Sequence, residues 1–125
     1  MWGDEHPEAA ISLESLAILL CAQGNVTEAE SLARDCLAIR ERLFPTDWRT
    51  FSVRSLLGDC LLRQKQYAAA EPLLISGWEG LKQQEDRIPA EYKPRLKESS
   101  ERLIRLYEAT GRAEKAAGLR GELDQ

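Results

Sequence analysis

The chain repeats itself, and that repetition limits the folds open to it more than any single motif does. A shift of 41 residues carries Leu16 onto Leu57, Leu20 onto Leu61, Ala29 onto Ala70 and Leu32 onto Leu73. A second shift, of 46, carries Leu57 onto Leu103, Leu61 onto Tyr107 and Ala70 onto Ala116. Three copies of one unit therefore follow each other, with a second junction five residues longer than the first. A unit of this length cannot bury its apolar face alone and has to stack on its neighbours.

Each copy reads as two helices. In the first, Leu13, Leu16, Ala17 and Leu20 recur at the three- and four-residue spacing of a helix face. Gly24-Asn25 interrupts the pattern as a helix end should, and Ala29, Leu32, Ala33, Cys36, then Ile39 or Arg40, then Leu43 resume it. In the second copy Val53, Leu57 and Leu61 form one stripe; Tyr67, Ala70, Leu74, Gly77 or Trp78, and Leu81 form the next. In the third, Leu96, Leu103 and Tyr107 precede Gly111, and Ala116, Leu119 and Leu123 follow it. No segment alternates with the period of two that a strand requires. The expected class is all-α, as three antiparallel helix pairs. Ala17 and Gly58 share one place in the first helices, and Ala29, Ala70 and Ala116 share one in the second. Small side chains there let the two helices of a pair approach closely.

At 125 residues the chain is one domain's worth. Its net charge of −4 argues against nucleic acid or an anionic membrane as partner, since both want a basic face. Apolar runs such as Leu16 to Ala22 fall far short of a membrane span. The start, Met1-Trp2-Gly3-Asp4-Glu5, is acidic and lacks leader character, so the expected compartment is the cytoplasm. Cys21, Cys36 and Cys60 contain no C-x-x-C pair, and His6 is the one histidine. That composition suits buried thiols rather than a disulfide framework, and no metal or cofactor is expected. His6 lies beside Pro7 with nothing local to orient its ring, so no catalytic triad forms around it. The glycine pairs Gly77/Gly80 and Gly118/Gly121 lack the phosphate-loop pattern. The expectation is a non-enzyme without catalytic residues.

The run Leu16-Ala17-x-x-Leu20, Gly24, Ala29-x-x-x-Ala33 resembles the tetratricopeptide repeat (TPR), as do Leu57-Gly58-x-x-Leu61 with Ala70-x-x-x-Leu74 and Leu103-Ile104-x-x-Tyr107 with Gly111 and Ala116. The Trp place of that pattern holds Leu13, Arg54 and Ser100 instead. Residues 3–9 and 44–50 resemble the G-P-x-H-P-x-T linker of kinesin light chain-type long repeats. Residues 88–111 look like the closing repeat of bacterial arrays that sit behind serine/threonine kinase domains. The resemblance implies a single TPR-like domain over residues 1–125, a right-handed α-solenoid with repeats over 6–43, 48–84 and 94–124.

It further implies a concave groove lined by the first helices. Carried over residue by residue, the partner-binding positions are Glu14, Ser15 and Ile18; Ser55, Asp59, Leu62 and Arg63; and Glu98, Arg102 and Arg105. These lie off the apolar stripes, which leaves them free of core duty. Where chaperone-tail receptors carry Lys and Asn, this chain has Glu14, Ile18, Leu56, Glu98 and Arg102, and of these Arg102 alone fits such a clamp. The implied function is a scaffold that binds a partner protein or peptide along this groove. Two rival readings are self-association into a homodimer through an uncapped first repeat, and a regulatory tail of a kinase-like protein.

Overall fold

A computed structural model describes residues 7–123. Trp2, the His6 turn and residue 124 lie outside the described residues. Six α-helices occupy the described chain, with no strand: α1 (Pro7–Ala22), α2 (Val26–Leu43), α3 (Trp48–Arg63), α4 (Tyr67–Gln83), α5 (Pro94–Ala109) and α6 (Ala113–Leu123). α1 pairs with α2, α3 with α4 and α5 with α6; α2 then packs on α3, and α4 on α5. The first helices also touch in series, α1 with α3 and α3 with α5. They form the inner layer of a TPR-like solenoid, and the second helices form the outer one.

Local chemistry explains the breaks. Gly24 and Gly111 end α1 and α5 with φ of +88° and +76°, the left-handed geometry that glycine adopts without strain. The same place after α3 holds Lys65, at φ +63°. Asp47 starts α3 by accepting from the Arg49 N–H at 2.9 Å. Pro94 opens α5, where its missing N–H leaves no bond unmade.

The small residues do the close-packing work expected of them. Ala17, Ala29, Ala70 and Ala116 are fully buried. A Cβ on Gly58 would stand 2.7 Å from Leu74 Cγ, and one on Gly77 would stand 2.9 Å from the Phe51 carbonyl oxygen. Trp78 is core, whereas half-buried Trp48 stacks on Tyr92 with ring centroids 5.3 Å apart. Tyr92 belongs to the longer second junction. Two 3-10 turns, Glu85–Arg87 and Ala90–Tyr92, fold back so that Ile88 is buried and Gln84 donates to the Thr46 carbonyl. The extra residues brace one inter-repeat junction against the other.

One expectation about packing fails. Leu16 belongs to the apolar stripe of the first copy, yet it is 46% exposed, beside Ile11 at 55% and Leu19 at 53%. Their counterparts in the second copy, Leu57, Ser52 and Cys60, are all buried. The reason is positional: α3 has α2 in front of it, and among the described residues no helix stands in front of α1.

Candidate functional site

Two buried carboxylates organise the inner face. Glu14 on α1 is 6% exposed. Arg40 from α2 donates to its Oε1 at 2.7 Å, and Arg95 from α5 donates to its Oε2 at 2.5 Å. Ser52 on α3 donates to Oε2 at 3.3 Å and accepts from Arg95 at 2.8 Å. Four helices thus meet on one carboxylate. Arg40 is itself buried, so neither charge can fall back on water, and each needs the other.

Asp59 on α3 is the second, 2% exposed. Arg63 Nε donates to its Oδ2 at 3.2 Å. Arg102 Nε lies 3.5 Å from Oδ2 and Arg105 Nη2 lies 3.6 Å from Oδ1. Oδ1 is buried without a hydrogen-bond partner, as is Ser99 Oγ. Arg102 also donates to Ser55 Oγ at 3.1 Å, which ties α5 to α3. The Cys21 thiol approaches Oδ2 at 3.7 Å. Cys60 packs against Cys21, and the hydrogen bond between them, with burial, pushes the Cys60 thiol far up. The same bond draws the Cys21 thiol down, against burial and Asp59, which both oppose it. Cys36, on the far side of the core, is pushed up to about 11 by burial. All three cysteines are free and buried.

Between the two carboxylates opens a cleft of ≈ 250 Å³, lined by Ile18, Ser52, Leu56, Arg95, Glu98 and Arg102. Its walls are polar, with Arg95 and Arg102 beside the carboxylate of Glu98, and Ile18 and Leu56 add apolar surface. A larger hollow of ≈ 610 Å³, between Leu96, Ile104 and Leu123, lies at the end of the solenoid that borders the undescribed residues.

The ten groove positions read from the sequence therefore divide. Ile18, Glu98 and Arg102 line the cleft together, and Arg63 and Arg105 gather with Arg102 over Asp59. Ser15 is exposed on α1 and joins neither group. The expectation that all ten are free of core duty is corrected for four. Glu14, Ser55 and Asp59 are buried beneath the arginines, and Leu62, 9% exposed, is packed in the apolar core under α5. α3 is packed by α1, α2, α4 and α5, and Glu14 is covered by side chains from α2, α3 and α5, so even positions off the apolar stripe go under. Sequence reasoning missed Arg40, Ser52 and Arg95. Arg95 carried a signal, because Arg95, Glu98, Arg102 and Arg105 recur at the spacing of one helix face.

Among the described residues no group of three or more His, Cys, Asp or Glu could hold a metal ion, and no helix is long and apolar enough to cross a membrane.

The tetratricopeptide repeat family model matches residues 3–76. No curated protein matches the chain. Among solved structures, the chain is similar to the nearly identical TPR-like repeats of a Podosopora anserina protein described as a kinesin light chain. A form of those repeats carrying one substitution matches at TM-score 0.70 and another crystal structure of the same repeats at 0.68, each at 24% sequence identity. Both alignments cover 97% of this chain and 56% of the other, so the chain spans just over half the length of the structures it matches.

Proposed function

The chain belongs to the tetratricopeptide-repeat family, and from that premise we propose that it is a non-catalytic interaction module whose inner groove holds an extended peptide of acidic character. Repeats of this family generally act as protein-interaction scaffolds. The observation that carries the finer reading is the row of arginines, Arg95, Arg102, Arg105 and Arg63, on the inner layer of a chain whose net charge is −4. Such local positive potential attracts carboxylates and orients them by N–H donation. The apolar surface at Ile18 and Leu56 offers an apolar residue of the same peptide a place to pack.

Selection from a random peptide-display library tests this. Peptides rich in Asp and Glu should be enriched on the wild-type chain, and Arg102→Glu with Arg105→Glu should weaken them at least tenfold. Enrichment of uncharged sequences, or binding indifferent to both reversals, would refute it.

A second reading has its own observation. Ile11, Leu16 and Leu19 form an exposed apolar face on α1, where the equivalent face of α3 is covered by a second helix. That face suits self-association in a homodimer. Light scattering across a dilution series, with Leu16→Glu plus Leu19→Glu as control, separates a dimer held by this face from a monomer. A kinase-tail role rests on the resemblance of residues 88–111 alone. The cytoplasm remains the compartment we propose.

A further inference from the structure

The arginines above Asp59 carry more charge than their one ion-pair partner supplies. Arg63, Arg102 and Arg105 approach one carboxylate at 3.2, 3.5 and 3.6 Å. The carboxylate is sealed, while the three side chains are 40%, 14% and 49% exposed. Among the described residues none of the three has another ion pair, and only Arg63 Nε and Arg102 Nη1 donate hydrogen bonds. Glu98 and Glu101, one turn earlier on α5, are exposed and make no ion pair with a described residue. The fold therefore gathers three guanidinium groups without consuming them. Set against Asp59 alone, two positive charges and most of the N–H donors stay unpaired, with Glu98 beside Arg102 in the cleft and Glu101 and Glu108 lining a hollow with Arg105.

That surplus matches one ligand chemistry better than others. A carboxylate brings one charge and two acceptor oxygens. A phosphomonoester brings a charge of about −1.5 to −2 at neutral pH and three acceptor oxygens, suited to forked guanidinium donors. Resting on the groove reading above, we propose that Arg63, Arg102 and Arg105 form a receptor for a phosphorylated side chain on the bound peptide. Arg102 lines both this cluster and the neighbouring cleft, so the phosphorylated residue lies next to an apolar one seated on Ile18 and Leu56.

The test uses the whole 125-residue chain and two arms. In the first, N-acetyl-O-phosphoserine amide is titrated against the arginine Nε–Hε resonances, with N-acetylserine amide, inorganic phosphate and sulfate in parallel. Saturable shifts confined to Arg63, Arg102 and Arg105, absent with the unphosphorylated amide, are expected. Equal shifts at the exposed Arg34 and Arg120 would overturn the proposal. In the second arm, matched peptide arrays differ only in serine phosphorylation. Phosphorylated members should bind at least tenfold tighter, and Arg63→Gln plus Arg105→Gln, at two half-exposed positions, should erase that difference while the helical spectrum stays unchanged. Equal binding of both arrays would overturn the phosphoryl receptor and leave the groove reading standing. Binding of neither array would overturn both. Inorganic phosphate shifting the three arginines as strongly as phosphoserine, with no preference between arrays, would reduce the cluster to a general anion site and also overturn the proposal.

Discussion

Glu14 and Asp59 are both buried carboxylates on inner helices, both attended by arginines, and they are built to different standards. Glu14 has both oxygens engaged, at 2.5–2.7 Å by guanidinium groups and at 3.3 Å by Ser52. Asp59 has one hydrogen bond from an arginine, two guanidinium groups beyond hydrogen-bond range, and an oxygen with no hydrogen bond. At Glu14 the positive partner Arg40 is sealed in, whereas at Asp59 two of the three arginines, Arg63 and Arg105, reach solvent. The first arrangement pins helices together. The second holds a floor under charges that remain free to meet a ligand.

The comparison breaks most visibly at Glu14. Glu14→Gln leaves Arg40 buried without a counter-charge and should cost about 3–5 kcal/mol, measured as a shift of the urea midpoint. Asp59→Asn retains an acceptor for Arg63 and strands no sealed cation, so the same experiment should return about 1–2 kcal/mol. Equal costs would erase the distinction. Arg105→Gln, at a half-solvated partner of Asp59, should stay within about 0.5 kcal/mol.

The smallest effect belongs to an outer control pair. Hydrogen bonds from Arg112 hold the Glu71 carboxyl below the usual carboxylate range. A carboxyl depressed on folding adds stability above its unfolded value, roughly 4.3, and loses it as pH falls through the folded value. Arg112→Ala should therefore lower stability slightly at neutral pH and leave it unchanged at pH well below the folded value, so that the acid limb below about pH 4.3 flattens. An unaltered acid limb would show that the pair does not form in solution.

The helical plan was legible because periodicity, helix stops and small-residue contacts all repeat, and each copy corroborates the others. Positions such as Ala17, Gly58 and Ala70 announce close helix contacts by their size alone. The groove was less legible. Glu14 meets Arg95 across 81 residues of chain, and no local pattern encodes that meeting. One clue was present: Arg40 shares an apolar stripe with Cys36 and Leu43, and a cation on a core-facing stripe implies a buried anion elsewhere. The burial of Ser55 and Asp59 follows from solenoid stacking, in which α3 has neighbours on both sides, a property of the array and not of the helix. The exposed face of α1 shows the converse, where an apolar stripe meets no covering helix.

The central claim is that one carboxylate cluster is structure and the other is receptor. Nitrogen-15 relaxation at the arginine Nε positions of the unliganded chain tests it most directly. Arg40 and Arg95 should show order parameters near the rigid-backbone level of about 0.85, and Arg63 and Arg105 should fall below about 0.6. Uniformly high values at all four would mean that Asp59 fixes its arginines as firmly as Glu14 does, and would contradict the account.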